Sequence, residues 1–215
     1  MRYKTPAALE MAVKEAAKKS PLDTNRAIAG FYFHRLLCRV FSDPDSPFVL
    51  KGGQSVLART VDARATRDID LLARETSVEA AVADLRRLAG IGLDDFISFS
   101  FDKAEPIKAD DECRSGMKVW FTPSLGGKSL QAVSVDLVVD EVDGLEPETI
   151  TPADRLQIDD VAPGMVSAEE LALGTHWEHG ASTWSPSLLI WAAAEGNDTL
   201  EPNDNISHST KTQGR

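Results

Sequence analysis

The sequence predicts an α+β fold, a short mixed β-sheet flanked by helices and preceded by an N-terminal helical pair. Three observations carry that prediction. Two stretches of helical periodicity open the chain, about five short apolar or alternating runs follow, and one of those runs meets a Gly-Gly turn that leads straight into a helix.

Pro6 to Ser20 is rich in Ala and Lys and predicts a surface helix, closed by Pro21 to Asp23. From Thr24, the residues Ile28, Phe31, Leu36 and Val40, with Phe33 and Leu37 beside them, recur at helical spacing, while Arg26, Arg35 and Arg39 punctuate them. The run DPDSP, Asp43 to Pro47, ends this second helix by turn chemistry. Phe48 to Lys51 predicts a strand, Gly52-Gly53 a tight turn, and Gln54 to Arg59 a helix start. Asp68 to Leu72 predicts another strand, Val78 to Ala89 a helix with Val78, Val82 and Leu85 inward, and Phe96 to Asp102 an alternating strand. Lys118 to Phe121 and Ala132 to Val139 complete the set.

After Asp140 the chain turns Pro- and acid-rich, and only Val166 to Leu173 reads as helical, with Ser167 as N-cap and Glu170 three residues on. Trp177, Trp184 and Trp191 are spaced by seven, but Gly180 and Pro186 between them favour chance spacing over a helical seam. Glu195 to Arg215 is polar and predicted to be disordered. The predicted organisation is therefore 1–45 as helices packed on the core, 46–165 as the core, and 166–215 as a short helix with an atypical tail.

Composition narrows the function. The 215 residues include 23 Lys and Arg against 34 Asp and Glu, a net charge of −11 that argues against binding duplex DNA through a basic coat. The acidity is uneven: between Gln157 and Thr210 there is no Lys or Arg but there are nine carboxylates. Two distant cysteines, Cys38 and Cys113, exclude a disulfide scaffold and a Cys-based zinc site, and they fit a reducing cytoplasm. Charges scattered through the N-terminus and the lack of an apolar run of ~18 residues predict neither a signal peptide nor a membrane span.

The strongest constellation is KGGQSVLART, Lys51 to Thr60, followed by ATRDIDLL, Ala65 to Leu72. Two glycines between a strand and a helix let the backbone approach a ligand, and the helix start supplies free N–H groups and a positive dipole end that suit a triphosphate. Ser55 adds a hydroxyl, and Lys51 and Arg59 are candidate nucleotide-binding cations. Asp68 and Asp70 are two apart on a strand, so their carboxylates share one face and offer hard oxygen ligands to Mg²⁺, with Mn²⁺ as substitute. In Ser134 to Val139, alternation sends Val135, Leu137 and Val139 one way and Asp136 the other. Were that strand beside Asp68, three carboxylates would converge on metal. Singly, each feature has a plain reading as a solvated face or an ordinary turn.

Arg59, Arg64 and Arg67 crowd the Asp pair, either to neutralise a triphosphate or RNA backbone or merely to offset carboxylates. His176 and His179, with Glu178 between, have metal-ligand spacing on a helix, but Gly174 and Gly180 bracket them and disfavour a zinc site.

The run from Arg26 through FHRLLCRVF, FVLKGG, Arg59 and RATRDIDLL resembles the AbiEii/AbiGii family of nucleotidyltransferase-like toxins, members of the DNA polymerase β-type nucleotidyltransferase superfamily. The resemblance spans roughly residues 24–140 and implies a nucleotidyltransferase fold. It further implies that Gly52, Gly53 and Ser55 contact nucleotide phosphates, that Asp68 and Asp70 bind metal, and that Asp136 completes the triad as the base-side carboxylate. Gln54 stands where such toxins often have Thr. By the same resemblance the partners are an NTP, a tRNA whose acceptor end is modified so that translation stops, and a cognate antitoxin. Phosphorylation of Thr66, two residues before Asp68, would set a phosphate's charge against the carboxylates and silence the site.

One departure stands out. The family follows its acidic strand with a helix bearing a Lys, and the stretch without Lys or Arg leaves that Lys unassigned here, as in a truncated or frame-shifted C-terminus. Three functions follow: a Mg²⁺-dependent nucleotidyltransferase toxin, an inactive family member serving as a binding module, or a metal-dependent phosphodiesterase. The Gly-Gly turn argues against the last, because a hydrolase needs no triphosphate cradle.

Overall fold

The computed structural model describes residues 3–59, 68–74, 77–107, 116–139, 147–159, 161 and 164–168, with the backbone alone at 53, 54, 56 and 57. All of them fall in one compact unit, Met1–Glu178.

Helix α1, Pro6–Lys19, starts where Thr5 Oγ1 accepts from the Ala8 N–H at 3.2 Å and Pro6 needs no donor. It ends with Lys18 and Lys19 against the negative pole and buries Leu9, Val13 and Ala17. Helix α2, Thr24–Val40, is capped by Asp23, whose carboxylate accepts from Asn25 and Arg26 N–H groups. Phe31, Leu36 and Val40 enter the same buried cluster as Leu9 and Val13.

Arg35 and Arg39, which interrupt the apolar pattern of this helix, are buried rather than solvated. Both bind Asp95, Arg35 Nη2 at 2.7 Å and Arg39 Nη2 at 2.6 Å, and Arg39 also donates to the Ile97 carbonyl. Burial alone would raise the Asp95 carboxyl, but Arg39 and Arg35 overcome it and hold it below the usual range. The network pins α2 to the strand that begins at Ile97.

Among the described residues, eight strands form one mixed sheet: β1 Phe48–Lys51, β2 Asp68–Ala73, β3 Ile97–Pro106, β4 Gly116–Leu125, β5 Lys128–Ser129, β6 Val133–Val139, β7 Glu148–Ile150 and β8 Val166–Ala168. Their order is β3-β4-β6-β2-β1-β8-β7, with β5 paired to β4. The β2–β6 and β1–β8 pairs are parallel and the others antiparallel. Helix α3, Gly52–Arg59, follows β1 directly, and α4, Val78–Ala89, packs Ala81, Leu85 and Leu88 into the core after a Ser77 N-cap. Leu50, Ile69, Leu71, Val119, Phe121, Val135 and Leu137 are fully buried on the core side of the sheet.

The sequence reading of about five strands undercounts, because β5, β7 and β8 have two or three residues each, too few for any period to show. The helix expected from Val166 is corrected: Val166–Ala168 is a strand, pairing Leu50 with Ala168 and β7 with Val166 and Ser167. Buried Val166 and Ala168 alternate with Ser167, and this sheet pairing overrides the capping pattern of Ser167 and Glu170. Residues 169–173 lie outside the described residues, as do the Trp177, Trp184 and Trp191 spacing and the tail from Glu195. Among the described residues no helix is long and apolar enough to cross a membrane.

Candidate active site

Strand β1 ends at Lys51 and runs without a spacer into α3, so the chain must turn at Gly52. Its φ of +64° lies in the left-handed region that side chains avoid. A Cβ here would collide with the Asp70 carboxylate, whose Cγ lies 2.9 Å from the position that atom would take. Glycine therefore lets backbone and carboxylate meet, at the point where α3 presents its N-terminal N–H groups.

Strand register sets the rest. Lys51 pairs with Asp70, Asp70 with Asp136, and Asp136 with Lys118. Directly paired residues project to the same face, so a Lys-Asp-Asp-Lys row crosses β1, β2, β6 and β4. In the next row Asp68 stands opposite Ser134, and Ser134 opposite Trp120. The intervening Ile69, Val135 and Val119 are fully buried on the other face. The pleat thus sends apolar residues to the core and gathers three carboxylates on the opposite side.

Lys118 Nζ lies 3.1 Å from Asp68 Oδ2 and 3.0 Å from Asp136 Oδ1, bridging two strands. Ser134 Oγ donates to Asp68 Oδ1. Asp136 Oδ1 is shut from solvent and lacks a well-directed hydrogen bond, so the charge of the Lys118 ammonium is what compensates it. Burial, then the charges of Asp136 and Asp68, push the Asp70 carboxyl up to about 6, with Lys51 and Lys118 opposing. At Lys118 burial works against the ammonium, but Asp136 and Asp68 win and hold it above the usual lysine value.

The structure brings Lys51, Gly52, Asp68, Asp70 and Asp136 together. Ser55 and Arg59 have other engagements. Ser55 is fully buried, its Oγ accepts from Arg59 Nη1 at 2.8 Å, and Arg59 Nη2 reaches Glu148 Oε2 of β7 at 3.2 Å. Gly53 follows Gly52 in the first turn of α3. Thr66, Arg64, Arg67, His176, Glu178 and His179 lie outside the described residues. Among the described residues no group of three His, Cys, Asp or Glu stands as a ready metal-ligating set, and the Lys118 ammonium lies between two of the three carboxylates.

Sequence reasoning missed two residues of this site, Lys118 and Ser134. The alternation of Lys118 and Trp120 with buried Val119 and Phe121 was visible in the sequence. That β4 lies beside β6, which turns this alternation into a contact, was not.

The model of the family described as nucleotidyl transferase AbiEii toxin, type IV toxin–antitoxin system, matches residues 35–174. No curated protein matches the chain. Two solved structures from Helicobacter pylori are similar to it. JHP933 shows 13% identity and a TM-score of 0.39 over 66% of this chain and 51% of its own. A protein provisionally named as a nucleotidyltransferase shows 16% identity and a TM-score of 0.40 over 66% and 54%. The chain spans about half the length of these structures. The family match runs from α2 through β8 and contains the glycine turn, the three aspartates and Lys118: the chain belongs to the AbiEii family of nucleotidyl transferase toxins.

Proposed function

We propose that this chain transfers a nucleoside monophosphate from an NTP to an RNA hydroxyl, a tRNA 3′ end, in a Mg²⁺-dependent reaction that stops translation. The observation that carries the reading is the Asp70–Asp136 pair across β2 and β6, with Asp68 on the same face and the Gly52 turn against Asp70. With the Lys118 ammonium between two of them, the three carboxylates are not a ready ligand set, but their hard oxygen donors are of the type that Mg²⁺, with Mn²⁺ as substitute, takes in preference to a soft metal. When bound, the divalent cation would supply Lewis acidity at the α-phosphate and charge for the leaving pyrophosphate.

The protein's own groups do the remaining work. Asp68, Asp70 and Asp136 would hold the cation, the N–H groups of the Gly52-Gly53 turn would receive triphosphate oxygens, and Lys51 would neutralise phosphate charge. The acceptor oxygen bonds to the α-phosphorus, the bond to the bridging oxygen breaks, pyrophosphate leaves, and Asp136 takes the hydroxyl proton. The work is mainly positioning and electrostatics. Ser55 and Arg59 bind each other within α3, and Arg59 ties that helix to Glu148 of β7. The site operates in the cytoplasm opposite a cognate antitoxin, and Thr66 is the residue where a phosphate would oppose metal binding.

The test is incubation with total tRNA, Mg²⁺ and each α-labelled NTP, comparing wild type with Asp68→Ala. Label on tRNA from wild type alone supports the transferase. Folded protein that labels nothing is a binding module, and RNA shortened without any NTP identifies a phosphodiesterase.

A further inference from the structure

The scheme above leaves Lys118 without a task, yet its ammonium is held by carboxylates from two strands at 3.1 and 3.0 Å. We infer that Lys118 is an internal cation that occupies the divalent-metal position of the resting site, so that metal must displace it to bind. The inference rests on the metal-dependent reading of the same site.

Three observations support it. Asp68 and Asp136 belong to neighbouring strands, and the group that joins them is a cation. The three carboxylates need positive charge even without metal, because Asp136 Oδ1 is cut off from water and Asp70 is desolvated. The ammonium is also free to leave. The Lys118 backbone is fixed by pairing to Asp136 on β6, while its side chain is about a third exposed and has a long flexible stem. Lys103, the nearby lysine on β3, is engaged elsewhere, 4.4 Å over the Trp120 ring and 2.8 Å from Glu105.

A placeholder of this kind has two effects. It keeps the carboxylate cluster folded when metal is scarce, and it weakens metal binding by the cost of its own displacement. Removing it should therefore separate stability from affinity, lowering the first and raising the second. A lysine whose charge did not compete with metal would move only the first.

The experiment is titration of the chelator-treated full chain with Mn²⁺, read by the electron paramagnetic resonance of free Mn²⁺, for wild type, Lys118→Met, Lys118→Gln, Lys118→Arg and Asp136→Asn. Lys118→Met and Lys118→Gln should bind Mn²⁺ at least about 5-fold more tightly than wild type while melting lower in chelator. Lys118→Arg, which keeps the charge, should stay near wild type, and Asp136→Asn should lose the site. Wild-type or weaker affinity in both Lys118→Met and Lys118→Gln overturns the inference alone. Absence of Mn²⁺ binding in every protein overturns both it and the metal-dependent reading. Lys118→Gln guards against a folding defect specific to the methionine variant.

Discussion

Asp70 on β2 stands directly opposite Asp136 on β6, one carboxylate facing another across two parallel strands. Burial first, and this like charge second, push the Asp70 carboxyl up to about 6. A carboxyl raised on folding contributes stability that is full below its unfolded value of about 4 and is lost as pH rises through the folded value. In chelator, Asp70→Asn should therefore be more stable than wild type at neutral pH by about 2 kcal/mol, with the gap closing in acid. Urea unfolding across pH checks this, and a gap that does not vary with pH contradicts it. The same substitution should cut nucleotide transfer at least about 100-fold.

Asp95 carries the opposite sign. Arg39 and Arg35 hold its carboxyl below the usual range, so its contribution is present above the unfolded value and lost as pH falls through the folded one. Asp95→Asn leaves two buried guanidinium groups short of their counter-charge and should cost about 3 kcal/mol or more at neutral pH. Its acid limb should be flatter than that of wild type. Denaturant midpoints at neutral and acidic pH measure both effects.

Gly52→Ala combines a positive φ with a collision at the Asp70 carboxylate. The expected loss is about 2 kcal/mol of stability, with nucleotide transfer reduced further than stability alone explains because Asp70 must shift. An alanine variant that melts and turns over like wild type would show that the turn tolerates a side chain.

Ser55→Ala tests the division of labour at α3. Because the Ser55 hydroxyl accepts from Arg59, its loss should cost about 1 kcal/mol and leave the KM for NTP unchanged. A rise in KM at constant stability would return Ser55 to the phosphates.

Much of this was legible in the sequence, for identifiable reasons. The helices at Pro6, Thr24 and Val78 show caps and long periods, and the strands at Phe48, Asp68 and Val133 are framed by Gly or acidic interruptions of apolar runs. The three aspartates announce themselves as polar residues at alternate positions of strands. Lys118 does not, since its meaning depends on β4 lying beside β6, a long-range pairing with no local trace. In the sequence Arg35 and Arg39 only punctuate an apolar pattern, because their partner, Asp95, is some sixty residues away and polar itself. Val166 to Ala168 was read by its local capping pattern, and the neighbouring β1 decided otherwise.

That last pairing bears on how the molecule is born. On one side β1 has β2, made soon after it, but on the other its neighbour is β8, the last described strand of the chain. While the ribosome is still making the intervening residues, the strand that feeds the Gly52 turn presents a bare row of N–H and C=O groups to whatever extended chain is near. A polypeptide cut short before β7 would keep all three aspartates and Lys118 yet leave that row open, and strand-to-strand self-association rather than loss of chemistry would be its first fault.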